Sequence, residues 1–190
     1  MPPLESSEGE NEADMILDRI FRPKPAVVAG RALYAACVEQ SRSPRFYAEL
    51  AVPDSVEGRF EIYTLHVVLI MDRLVSQGPE AARTSQALFD AYARALDDAL
   101  REMGVGDLSV GKKMRRLGEA FFGRVKNYHA ALATLPDTKD LDALTRRTIY
   151  ADVEGPPPEV LLDYVLRQKQ GLDTQPTERL VSGLVSWIAA

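Results

Sequence analysis

Gly106 to Lys113 reads GDLSVGKK, one residue away from the phosphate-loop pattern G-x-x-x-x-G-K-[ST]. A phosphate loop cradles phosphate oxygens with glycine-rich backbone, and the hydroxyl after its lysine binds magnesium. Lys113 stands where that hydroxyl belongs, and the segment before Gly106 has helical rather than strand periodicity. The pattern therefore predicts a glycine corner and not a nucleotide site. The two histidines, His66 and His129, fall in separate predicted helices and in no metal-ligand spacing such as H-E-x-x-H. His66 lies within an apolar stretch and reads as a hydrogen-bonded core histidine, whereas His129 reads as a surface or rim residue. Asp97 and Asp98 fall on the outer arc of a helix, where carboxylates stay solvated instead of acquiring the shifted pKa values that acid/base catalysis requires. Ser109 has no base within sequence reach. No catalytic residue, metal site or cofactor is expected from this set. Cys37 stands alone, which rules out an intramolecular disulfide framework, suits a reducing compartment and predicts a small core residue.

The elements that would position these residues are helical throughout. From Val110 onward, Val110, Met114, Leu117, Phe121, Val125, Tyr128 and Leu132 share one stripe at 100° per residue. Lys112, Lys113, Arg115, Arg116, Arg124 and Lys126 share the opposite arc, so the spacing predicts a long helix with a core face and a cationic face. Leu88, Phe89, Tyr92, Leu96, Ala99, Leu100 and Met103 form a similar stripe just before it. Between the two, Gly104 suits a left-handed helix stop and Asp107 an N-cap, so the corner predicts an αα-hairpin. Pro25 suits the first turn of a helix reaching about Gln40, and a short element is expected from Pro44 to Leu50. Pro53-Asp54-Ser55 offers a helix start before Glu57 to Ser76, which is apolar on several sides and therefore expected at the buried centre of a domain. Pro79 opens the next helix. Further helices are expected from about Lys139 to Ile149, after the Gly155–Pro158 break, and over Leu180 to Ile188 at the end.

With 46% hydrophobic residues, the chain can bury a sizeable core, and its length favours one domain. The fold class expected is all-α, a single compact multi-helix domain over residues 13–190. Residues 1–12, crowded with Glu5, Glu8, Glu10 and Glu12, read as a disordered acidic tail. That tail has neither the basic and apolar design of a secretory signal nor the arginine-rich character of a mitochondrial transit peptide. A cytoplasmic location of bacterial type is expected. No apolar run approaches the ~20 residues of a membrane span, so any membrane contact is expected to be peripheral. A net charge of −5 argues against a dedicated DNA or other nucleic-acid binder, although a local basic face can survive in an acidic protein.

Several motifs resemble one family. They are Leu33-Tyr34, Gln40-Ser41-Arg42 with Phe46-Tyr47, VPDSVEGRFEIYTLHVVLIMDRL from Val52 to Leu74, Ser85 to Asp90, and REMGVGDLSVGKK with Phe121 to Arg124. The chain is similar here, over roughly Leu33 to Tyr128, to the ubiquinol-cytochrome c reductase chaperones, assembly factors for the cytochrome b subunit of respiratory complex III. The resemblance implies an all-helical, non-enzymatic protein that binds newly made cytochrome b and protects it until haem and partner subunits are added. It also implies a link, in mitochondrial relatives, to the ribosome near the exit tunnel and to a small partner protein.

A chaperone for a membrane subunit needs an apolar surface for the client and a charged surface for anionic headgroups or ribosomal RNA. Phe46, Tyr47 and Phe122 are the candidate client contacts, as exposed aromatics that combine apolar area with modest entropy cost. The arc from Lys112 to Lys126, with Lys113, Arg115, Arg116 and Arg124, is the candidate contact for an anionic membrane or ribosome surface at the cytoplasmic side of the inner membrane. Asp54, Arg59, His66, Arg101 and Asp107 read as structural: caps in the two aspartates, inter-helix ties in the two arginines. Two other classes stay open. A helical enzyme for an apolar ligand would use His66 in a deep pocket, and a plain interaction module would show a large exposed apolar patch.

Overall fold

The computed structural model describes residues 24–151, 153 and 160–189. The acidic tail, the short apolar ridge that the sequence spaces at Ile16, Leu17, Ile20 and Phe21, and the Gly155–Pro158 break lie outside these residues. Every regular element among the described residues is a helix: α1 (Pro25–Ser41), α2 (Arg45–Ala48), α3 (Val56–Leu74), α4 (Pro79–Glu102), α5 (Asp107–Ala133), α6 (Lys139–Ile149), α7 (Val160–Asp173) and α8 (Thr177–Val181). Prolines open α1 and α4, where the missing N–H is no loss because the first turn has no intrahelical acceptor for it.

α3 is the hub. Ile62, Leu65, Val67, Val68, Leu69 and Ile70 are buried on successive sides of it, which requires neighbours all round. α1, α4, α5, α6 and α7 supply them. The start of α3 is set by Ser55, whose hydroxyl accepts the Gly58 amide at 3.0 Å. The expected cap Asp54 is displaced from that role by one position, and its carboxylate instead receives Arg59 at 2.6 Å. Gly58 is required here, because a Cβ would stand 2.1 Å from the Pro53 carbonyl oxygen. The second close approach is Gly30, whose missing side chain lets α1 lie against the backbone of Ala87 and Leu88 in α4.

α4 and α5 form the expected hairpin. Gly104 takes φ 76°, and the bonds from Val105 N–H to the Leu100 carbonyl and from Gly104 N–H to the Arg101 carbonyl make a Schellman stop. α5 starts one residue earlier than the expected cap implied. Its N-cap is Gly106, so Asp107 is the first helical residue and not the cap. Asp107 is favourable there beside the helix dipole, and it accepts Arg101 Nη1 at 2.6 Å while Arg101 Nε holds Asp97. Arg101 thus ties the end of α4 to the start of α5.

The last helical pattern is the main departure. α8 ends at Val181, and residues 184–189 run as a non-helical strap. Glutamine amides hold it: Gln168 exchanges two hydrogen bonds with the Ile188 backbone, Gln175 two with Ser186, and Gln40 donates to the Ile188 carbonyl at 3.0 Å. Periodicity mistook a non-helical, partly exposed arm for a helix because Leu184, Trp187 and Ile188 happen to be spaced at three and one.

Candidate functional site

His66 is fully buried. The Ile62 carbonyl, 2.8 Å from Nδ1, can only accept, so Nδ1 carries the proton. Nε2 then accepts from the Tyr164 hydroxyl at 2.6 Å, and that hydroxyl accepts from Gln40 Nε2 at 2.9 Å. Phe46, Tyr164 and Trp187 surround the ring edge-on. Burial lowers the imidazole pKa to about 4, against a smaller opposing effect of the Ile62 bond, so the ring is neutral at physiological pH. An imidazole with both nitrogens engaged and no exposed surface acts here as a spacer between helices. His129, by contrast, is exposed on α5, its Nδ1 2.6 Å from Asp72 of α3. The Gly106–Lys113 corner is preceded by α4, so the strand that a phosphate loop needs is not there.

Five of the six arc cations are exposed: Lys112, Lys113, Arg115, Arg116 and Lys126. Arg115 holds Glu119 one turn on, whereas Lys112, Lys113 and Arg116 have no carboxylate partner among the described residues. Arg124 leaves the arc. Its guanidinium turns inward and grips both oxygens of the buried Glu61 carboxylate, at 2.6 and 3.0 Å. A single-face helical wheel assigns Arg124 to water, yet the middle of α5 is flanked by α3, α4 and α6. The third side of the helix is thereby taken out of solvent.

The aromatic candidates divide in the same manner. Phe46 is buried, edge-on to Tyr164 at 5.0 Å, which corrects its expected exposure. On a helix as short as α2 only one of two adjacent rings can point into the core, and the all-carbon ring goes in. Tyr47 is half-buried, its hydroxyl donating to the Ser41 carbonyl and the Arg59 guanidinium lying 5.1 Å over its face. Phe122 is 57% exposed and stacks at 5.2 Å on Phe89.

Phe122 borders an apolar trough of about 600 Å³ where the α3–α4 turn meets α5, with Met71, Leu74, Val75, Pro79 and Phe89 along it. A smaller depression of about 300 Å³ continues it across Met71 and Val75 to Val125, Lys126 and His129, with Asp72 also in its lining. Apolar floor and a charged edge, Lys126 beside the Asp72–His129 pair, therefore adjoin. Neither Met71 nor Phe89 stood out by periodicity, because each lies on the core side of its own helix, and Val75 sits just past the end of α3. The turn from Val75 to Gly78, with Ser76 at φ 60° and Gly78 at φ 96°, lifts the two helices apart there and uncovers them.

Residues 48–187 match the model of the ubiquinol-cytochrome c chaperone family. The chain belongs to that family. Among solved structures, it is similar to the Cbp3 homologue from Brucella abortus, at 32% identity and a TM-score of 0.79, over 93% of this chain and 96% of that one. Among characterised relatives, it is 25% identical over 163 residues to ubiquinol-cytochrome-c reductase complex assembly factor 1 of Xenopus laevis, covering 84% of this chain and 80% of that protein. The human protein of the same description is 28% identical over the same share of this chain, which spans about half (54%) of the human length. In this family member the matched span runs from α2 to the strap, so it reaches well past Tyr128, where the resembling motifs stop. The long motif from Val52 to Leu74 is the hub helix with its cap, and the motif from Arg101 to Lys113 is the hairpin corner. Both owe their residue pattern first to packing and turn geometry.

Proposed function

We propose that this chain is a non-catalytic chaperone that binds newly synthesised cytochrome b and supports assembly of ubiquinol-cytochrome c reductase. The observation that carries the reading is family membership over 48–187 together with near-complete structural overlap with the Brucella abortus protein. The relatives are described as assembly factors of that reductase complex. The trough beside Phe122 supplies a surface suited to such a client, an apolar channel that an amphipathic or transmembrane helix can enter along one face. Exposed Val75 and Phe122 are the anchors. Lys112, Lys113, Arg115, Arg116 and Lys126 serve a second contact, an anionic surface at the cytoplasmic side of the membrane, either headgroups or ribosomal RNA.

Affinity purification from native membranes tests the client. Recovery of cytochrome b with the wild-type protein, loss of recovery with Val75→Asp and Phe122→Asp, and specific loss of the complex in a deletion strain are expected. An intact complex in that strain would sink the proposal. Charge reversal at Lys112, Lys113 and Arg116 should weaken binding to anionic vesicles or ribosomes in a salt-dependent way; unchanged, salt-insensitive binding would remove the arc from the account.

A further inference from the structure

A second groove, of about 480 Å³, lies on the other side of α4 and belongs to neither surface discussed above. Its long wall is α4, from Tyr92 through Ala95, Leu96, Ala99 and Leu100 to Met103. At 1.5 Å per residue this wall is roughly 16 Å long. Ala95 and Ala99 stand one turn apart, and their missing bulk turns the face of the helix into a trough instead of a ridge. Phe60 and Tyr63 of α3 form the facing wall, and Leu117 of α5 borders it as well. Val56 and Met103 on the rim are 65% and 58% exposed, which leaves a continuous apolar strip facing water.

The charges at the rim are uneven. Arg42, at the C-terminal end of α1, donates Nε to the Tyr63 hydroxyl at 3.3 Å and has no carboxylate partner among the described residues. Arg59 is also there, shared with Asp54. Glu61 faces the groove with its charge already neutralised by Arg124, and Glu57 is the one lining carboxylate without an ion-pair partner among the described residues. Tyr34 and Tyr63 add hydroxyls beside Arg42. The volume is within the range of small-molecule sites, and the design is an elongated apolar body with a cationic, hydrogen-bonding end.

We propose that the groove between α1, α3 and α4 binds a single-chain anionic amphiphile, its hydrocarbon chain along Ala95 and Ala99 and its acidic head at Arg42. A nucleic-acid strand is disfavoured because the α4 wall is largely aliphatic and offers no series of exposed rings for stacking bases. A free fatty acid and an acidic lipid drawn from a bilayer present the same chemistry. The site is independent of the chaperone reading, since it uses none of the residues assigned to client or surface contact.

The test is titration of the full chain with cis-parinarate, a fluorescent polyene carboxylate, below its aggregation concentration, and with the corresponding polyene alcohol. A parallel arm measures co-sedimentation with vesicles of acidic and of zwitterionic phospholipid. Saturable parinarate binding is expected, with weaker binding of the alcohol. Arg42→Gln should weaken the carboxylate about tenfold and leave the alcohol unchanged, the size of one charge-assisted contact. Ala99→Leu, at an exposed position that the fold does not depend on, should abolish both while the melting temperature holds. Vesicle binding that is lost with Ala99→Leu, without parinarate binding, would assign the bilayer as the source of the same ligand. No saturable binding in either arm overturns the proposal, as does binding that Ala99→Leu leaves intact. Self-association of the wild type that Ala99→Leu breaks, without parinarate binding, would make the groove an interface between copies and overturn it too.

Discussion

Replacing His66 by Gln should change the way stability depends on pH, and the structure sets the size. In the folded protein burial holds the imidazole pKa at about 4, whereas the unfolded chain titrates near 6.5. The folded state therefore binds fewer protons, and the contribution is full above pH 6.5 and lost as pH falls towards 4. The whole difference, at 1.36 kcal/mol per pH unit, is about 3 kcal/mol, of which about 2 kcal/mol falls between pH 7 and pH 4.5. Other groups titrate in this range, so the quantity to measure is a difference. Urea unfolding of the wild type and of His66→Gln at a series of pH values gives it. Glutamine can still meet Tyr164 but does not ionise, so the variant is expected to be less stable at pH 7, by an amount that shrinks by about 2 kcal/mol at pH 4.5. A gap that stays constant across the range would refute the account, because it would show an imidazole that remains accessible to protons in the folded state.

Two further outcomes rest on single geometries. Arg124→Ala leaves Glu61 charged and buried without its partner, and should cost about 3–5 kcal/mol of unfolding free energy, whereas the double change Glu61→Met with Arg124→Met should recover most of it; a double variant as unstable as the single would mean that the pair is not what matters. Gly58→Ala should lower the melting temperature more than Ser55→Ala, whose lost cap is worth about 1 kcal/mol, because the added methyl collides with the Pro53 carbonyl; scanning calorimetry of the two variants decides the order.

The chain's helices were legible where proline, glycine and a one-sided stripe agree. Pro25, Pro79 and Gly104 stand where they were expected, and α6 has the bounds its pattern suggested, Lys139–Ile149. Single side chains were less legible. Asp54 and Ser55 are both good caps by type, and the close approach of Gly58 to Pro53, set by the backbone of that turn, goes with capping by Ser55. Arg124 looks like its neighbours on a wheel, and only Glu61, 63 positions earlier on α3, draws it inward. The exposed trough beside Phe122 has no local signature either, since Met71 and Phe89 are ordinary core-stripe residues until the α3–α4 turn, which carries Val75, separates their helices. The groove along α4 was not read from the sequence, where Leu96, Ala99, Leu100 and Met103 stand as part of a core stripe.

The strap bears on the order in which the molecule is completed. Helical proteins are usually dominated by local contacts and fold quickly for that reason. Here the His66 chamber is closed by Trp187, and α1 is joined to the strap by a bond that spans 148 positions, from Gln40 to Ile188. During synthesis α1 to α8 precede that wall, so they have time to form before it emerges. Until residues 184–189 arrive, His66, Tyr164 and Phe46 lack the indole that packs edge-on against the imidazole.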